Sequence, residues 1–179
     1  EVLKEHGACF MLQGINGRYV DEENAKKMRE RCMRLGLDID GALNGLTLVE
    51  HPEQMPALES GMYFDADIPV DVMQKEVGNY IKITGASFGK DRQMSGEMTK
   101  MGVNKATGMQ RLMDELKIGR EDTIAFGDGP NDVEMLQFAG TGVAMGNAIP
   151  AVKQYADMVT DKIDEDGLYH AFERLHLLG

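Results

Sequence analysis

The segment Thr123-Ile124-Ala125-Phe126-Gly127-Asp128-Gly129-Pro130-Asn131-Asp132 decides how this chain folds. An apolar run stops at a carboxylate set between two glycines, and a second carboxylate follows four residues later. That pattern spells a short buried strand, a tight turn and the start of a helix. It gathers Asp128, Asn131 and Asp132 at the carboxyl edge of a parallel sheet, where open α/β sheets bind ligands. Glycines on both sides of Asp128 let a ligand approach the backbone closely. Side chains offering only oxygen, with no Cys or His nearby, suit a hard cation, Mg²⁺ ahead of Ca²⁺, and Mg²⁺ commonly shares such a site with a phosphate. Asn131 also reads as a helix N-cap, with Glu134 at the capping-box position.

Outward from this segment, strands and helices alternate. A helix before it carries Met109, Leu112, Met113 and Leu116 on one face. After it come a helix from Asn131 to Ala139, a strand from Thr141 to Met145, a helix with Val152 and Tyr155, a strand at Met158-Val159-Thr160, and a last helix with Leu168, Phe172 and Leu175. This spacing makes right-handed βαβ units and a parallel sheet. Lys105 stands at the amino end of the first of these helices, where the helix dipole is already positive, so an anion should compensate it.

The first half has another rhythm. Ala8 to Leu12 and Arg18 to Val20 flank Asn16-Gly17, a strong hairpin signal. Asp21 caps a helix with Ala25, Met28, Cys32 and Leu35 on one face, closed by Gly36. Met62 to Phe64 reads as a strand, Pro69 opens a helix with Val70, Met73 and Val77, and Tyr80 to Thr84 returns as a strand. These elements predict a small α+β domain with helices on one face of a largely antiparallel sheet. The polar segment from Ser87 to Asn104 holds the crossing into the second half. Expected domains are therefore 1–98 and 99–179.

The bulk composition narrows the function. The chain has 179 residues, 42% of them hydrophobic, enough for a core. Acidic residues outnumber Lys and Arg by 30 to 19, a formal charge of −11 that argues against nucleic acid or an anionic membrane as the main partner. The two cysteines, Cys9 and Cys32, lack metal-ligand spacing and read as reduced thiols of a cytoplasmic protein. No apolar run reaches the length of a membrane span, and the amino end lacks the regions of a signal peptide. Its first residue is Glu1, which leads to the expectation that the chain begins partway through something longer.

Other candidates are weaker. Asp65-x-Asp67 has the spacing of a nucleophile and acid pair, yet no long buried strand precedes it and no glycine turn follows, so it reads as a solvated strand end. His6, His51, His170 and His176 show no metal-ligand spacing. The methionines at helical spacing read as core filler.

Three motifs in order, Gly102-Val103-Asn104-Lys105, Ala125 to Leu136, and Gly142-Val143-Ala144-Met145-Gly146-Asn147-Ala148, resemble the haloacid dehalogenase (HAD) superfamily, and more narrowly its Cof-type phosphatases with an α/β cap. Ala156-Asp157, Val159-Thr160 and Glu165-Asp166-Gly167 fit the same pattern. The resemblance implies an α/β fold: a Rossmann-like parallel-sheet core, here its carboxyl-terminal part over 99–179, plus an α+β cap over 1–98. By it, Lys105 steadies the phosphoryl group and the nucleophile, Asp128 is a Mg²⁺ ligand, Asn131 contacts phosphate, and Asp132 supports the metal site. The family's attacking aspartate, its acid and base aspartate, and its phosphate-binding Ser or Thr have no counterparts in this sequence. The expectation is that they lie in an amino-terminal segment of the same protein, outside this chain, and that this chain alone is inactive.

The expected activity is Mg²⁺-dependent hydrolysis of a small phosphorylated metabolite, a sugar phosphate or nucleotide, through an aspartyl-phosphate. A phosphomutase of the same superfamily, a non-catalytic binding or regulatory module, and a rearranged topology with Asp65 as nucleophile are the alternatives.

Overall fold

The computed structural model describes residues 1–86 and 93–178. The chain divides into two units, Glu1–Met101 and Gly102–Gly179. Residues 87–92, part of the expected crossing, lie outside the described residues.

Unit 1 begins with α1 (Val2–Glu5), followed by β1 (Cys9–Gly14) and β2 (Gly17–Val20) as an antiparallel hairpin. The last pair of the hairpin is Gly14 with Gly17, so Ile15 and Asn16 form its tip. The expected turn at Asn16-Gly17 is thus displaced by one residue. Next come α2 (Glu22–Leu35), α3 (Ile39–Leu43), β3 (Leu46–Leu48), β4 (Leu58–Phe64), α4 (Val70–Val77), β5 (Ile81–Gly85) and β6 (Gly96–Lys100). Asp21 caps α2 by accepting from the Asn24 amide at 2.7 Å. The six strands lie in the order β3-β2-β1-β4-β6-β5, with only the β2–β3 pair parallel.

Two features depart from the sequence reading. Helices cover both faces of this sheet, because β1 and β4 are apolar on both. Phe10, Tyr63, Ile83 and Met98 bury against Met73 of α4 on one face, whereas Cys9, Met11 and Phe64 bury against Ala25 and Met28 of α2 on the other. An uninterrupted apolar run demands cover on each side. The second departure is β6, in a stretch whose glycines read as linker. Gly96 is there for packing: a Cβ on it would stand 2.8 Å from both the Tyr63 ring and Ile83.

Unit 2 runs α5 (Lys105–Leu116), β7 (Ile124–Gly127), α6 (Val133–Phe138), β8 (Thr141–Ala144), α7 (Pro150–Lys153), β9 (Met158–Val159) and α8 (Gly167–Arg174). Its sheet is parallel throughout, in the order β7-β8-β9. Ala125, Leu136, Ala139, Ala144, Ala148 and Val152 form its core. Of the expected apolar face of α5, Met113 is buried, whereas Leu112 and Leu116 are exposed. A short 3-10 turn, Pro130–Asp132, precedes α6, so the helix starts two residues later than Asn131. Both carboxyl ends that matter, that of β7 at Asp128 and that of β8 at Asn147, open on one edge of this sheet.

Candidate phosphate and metal site

Lys105 is fixed by the start of α5. The Asn104 side chain accepts from the Thr107 amide at 2.9 Å, and Thr107 Oγ1 accepts from the Asn104 amide at 3.0 Å. This reciprocal cap satisfies two otherwise orphaned donors and sets where the next residue leaves the helix. The ammonium of Lys105 then pairs with Oδ1 of Asp132. Asp132 is the anion that a cation at this end of a helix requires.

Asp132 is buried, and its carboxylate does more than neutralise Lys105. Oδ2 accepts from the Asp128 amide at 2.9 Å and the Gly129 amide at 3.0 Å. The turn after β7 is therefore folded around this one carboxylate. Gly127 makes room for it, since a Cβ there would lie 2.4 Å from the Asp132 Cβ. Burial pushes the Asp132 carboxyl up, but the Lys105 ammonium and the two amides outweigh that and hold it below its usual range.

Asp128 is exposed at the same turn. Its Oδ2 accepts from Nδ2 of Asn147 at 3.0 Å, and among the described residues its Oδ1 has no partner. Asn147 Oδ1 in turn accepts from the Ile163 amide at 3.1 Å. Lys105, Asp128, Asp132 and Asn147 line one open hollow of about 350 Å³, with Phe126, Met145, Ile163 and Leu168 as its apolar walls. Asn131 lies in the turn between Asp128 and Asp132. The sequence reading named Lys105, Asp128, Asn131 and Asp132 but not Asn147. Its signal was available: Gly146-Asn147 ends an apolar strand parallel to the one that ends at Asp128.

The donor set fits a hard cation in part. Asp128 offers a carboxylate oxygen that has no partner among the described residues, and Mg²⁺ takes one or two protein carboxylates while keeping waters and substrate oxygens as its other ligands. Among the described residues no three His, Cys, Asp or Glu side chains converge into a closed metal cage.

Asp65 and Asp67 lie in unit 1. Arg31 Nε meets Asp65 Oδ1 at 3.1 Å, Arg34 holds Oδ2, and Asp67 accepts from His6 at 2.7 Å. Cys9 and Cys32 are unpaired and buried, and burial pushes the Cys9 thiol up to about 11. No helix of the described residues is long and apolar enough to cross a membrane.

A family model for haloacid dehalogenase-like hydrolases matches residues 1–172. The chain belongs to that family. Over 72 residues this haloacid dehalogenase-like chain is 56% identical to the 5-amino-6-(5-phospho-D-ribitylamino)uracil phosphatase YitU of Bacillus subtilis (strain 168), a match covering 40% of this chain and 27% of that protein. A second phosphatase of the same name and organism, YcsE, is 35% identical over 128 residues, covering 68% of this chain and 49% of its own length. The solved structure of the HAD subclass IIB sugar phosphatase BT4131 matches 99% of this chain and 64% of its own, with a TM-score of 0.75 at 26% identity. The chain thus spans less than two thirds of the length of each of these relatives. The α/β class with a Rossmann-like fold stands.

Proposed function

We propose that the whole protein is a Mg²⁺-dependent phosphatase of small phosphomonoesters, of the sugar phosphate or nucleotide class. Unit 2 is its phosphate- and metal-binding half-core, and unit 1 is the α+β cap to which we assign substrate choice. The observation that carries this reading is the Lys105–Asp132 pair folded into the Asp128 turn, which puts a cation and an exposed carboxylate on one hollow. The names of similar proteins support it, since they are phosphatases of a phosphorylated ribityl compound and of sugars.

In this reading the ammonium of Lys105, whose side chain is 48% exposed, receives phosphoryl oxygens while Asp132 keeps it oriented. Asn131 contacts the same phosphate. Asp128 holds Mg²⁺, which when bound neutralises phosphate charge and polarises a phosphoryl oxygen. Asp132, its oxygens engaged by Lys105 and two amides, supports the metal site through the turn it organises. A carboxylate other than Asp128 and Asp132 takes the phosphoryl group as the P–O bond to the substrate's ester oxygen breaks and that oxygen leaves, protonated, as the alcohol; water then cleaves the acyl phosphate, restoring the carboxylate and releasing inorganic phosphate. The test is phosphate release by the whole protein with Mg²⁺ across a panel of sugar phosphates and nucleotides. Release from at least one class is expected, and silence across the panel overturns the reading.

A further inference from the structure

We propose that Asn147 is a positioning residue for the metal carboxylate, an inference that rests on the reading of Asp128 as metal ligand. Among the described residues its Nδ2 makes the one hydrogen bond to the Asp128 side chain, at 3.0 Å. That bond engages Oδ2 and leaves Oδ1 as the oxygen a cation would take. A carboxylate on an exposed turn otherwise samples several rotamers, and freezing one of them before the ligand arrives strengthens binding.

Asn147 is suited to this because its own amide cannot turn freely. Oδ1 accepts from the Ile163 amide at 3.1 Å, which also fixes which end of the side chain faces Asp128. The neighbouring backbone is tied down on both sides: the Gly146 amide donates to the Asp161 carbonyl at 3.0 Å, and Lys153 Nζ donates to the Gly146 carbonyl at 2.6 Å. Asp161 is itself bound by His170 Nδ1 at 3.0 Å and Arg174 Nη2 at 2.7 Å, both on α8. A chain of contacts therefore runs from α8 through the loop after β9 to the Asp128 carboxylate. The Asp128 contact lies on the exposed side and engages a single carboxylate oxygen, so it sets which way that carboxylate faces.

The test titrates Mn²⁺, a stand-in for Mg²⁺, into the whole protein by isothermal calorimetry, with melting temperatures measured with and without the ion. Asn147→Ala is expected to weaken Mn²⁺ binding by ~10-fold, the lower end of what losing an outer hydrogen-bond partner costs a metal site. Asp128→Asn is expected to abolish it. If Asn147→Ala lowers the ion-free melting temperature yet binds Mn²⁺ as tightly as the parent chain, Asn147 is a loop staple and the inference is overturned while Asp128 keeps its role. Should Asp128→Asn bind as tightly as the parent, or the parent not bind at all, the reading of Asp128 falls and the inference with it. Where circular dichroism shows Asn147→Ala unfolded, Asn147→Leu, which refills the volume without the donor, is read in its place.

Discussion

The two units treat their charged side chains differently. In unit 1, Asp65 is gripped by Arg31 and Arg34, with the Arg31 guanidinium also stacked 4.6 Å over the Phe64 ring. His6 sits between Asp67 and Glu76. Both clusters are closed: every charge faces its opposite, and they fasten one element to another. Unit 2 has such a fastener in Asp161 with His170 and Arg174, but its Lys105–Asp132 pair is built otherwise. Asp132 is nearly all buried, Lys105 is half-exposed, and Asp128 stands beside them with an oxygen to spare. A closed cluster uses its field up internally, whereas an open one projects it into a hollow, which is what recognition of a metal-bound phosphate needs.

The largest effects should separate these two kinds of cluster. Asp128→Asn in the whole protein is expected to reduce kcat by ~10³-fold, the scale of losing an electrostatic group aimed at the reacting centre. Asp65→Asn is expected to leave kcat near the parent value. Steady-state phosphate release checks both, and the reverse ranking would break the comparison and move the chemistry to unit 1. Asp132→Ala comes next. It strands the Asp128 and Gly129 amides and leaves Lys105 uncompensated, so denaturant unfolding should show a loss of ~2 kcal/mol.

Acid sharpens the same point. The Asp132 carboxyl is held below its unfolded value of 3.8, so its contribution is present above that pH and is lost as pH falls through the lower folded value. As pH falls below 3.8 the parent chain should therefore lose more stability than Asp132→Asn, as read by denaturant midpoints at each pH.

Much of this site was legible because its signals are local. An apolar strand, a glycine pair and two carboxylates four apart fall within ten residues, and backbone geometry does the rest. Lys105 announced itself by standing at the wrong end of its helix. Asn147 was harder, since its meaning depends on β8 lying beside β7, a pairing between residues far apart in sequence. The cover on both faces of the unit 1 sheet and strand β6 escaped for a similar reason. Gly96 looks like a turn until the Tyr63 ring is placed against it. The hairpin slipped by one residue because its register is set by pairing across the strands as well as by the Asn-Gly dipeptide.

A smaller effect is expected in the core of unit 1. Tyr63 is 0% exposed, and among the described residues its hydroxyl has no hydrogen-bond partner. Burial alone pushes this phenol up to about 12, as an unassisted buried hydroxyl should behave. Tyr63→Phe removes an unsatisfied polar group without changing the ring, so it should stabilise the chain by ~1 kcal/mol. The corresponding change in unit 2, Leu136→Ala, should destabilise by ~3 kcal/mol, because it opens a cavity among well-packed alanines and valines. Opposite signs in the two thermal shifts would separate the cost of an unsatisfied hydroxyl in unit 1 from the cost of a cavity in unit 2.

The smallest effect concerns the other closed cluster of unit 1. His6 Nδ1 lies 2.7 Å from Asp67 and Nε2 lies 2.8 Å from Glu76, so only a doubly protonated ring serves both carboxylates. Glu76 first, then Asp67, hold its pKa above 6.5. A raised folded value means that the clamp's stabilisation is complete below 6.5 and fades as pH rises through the folded value. His6→Gln should accordingly melt below the parent at pH ~5.5, with the gap closing towards pH ~8.5. A gap that widens with pH would mean the ring works there as a neutral hydrogen-bonding group, and the cluster would then not be a closed ionic one.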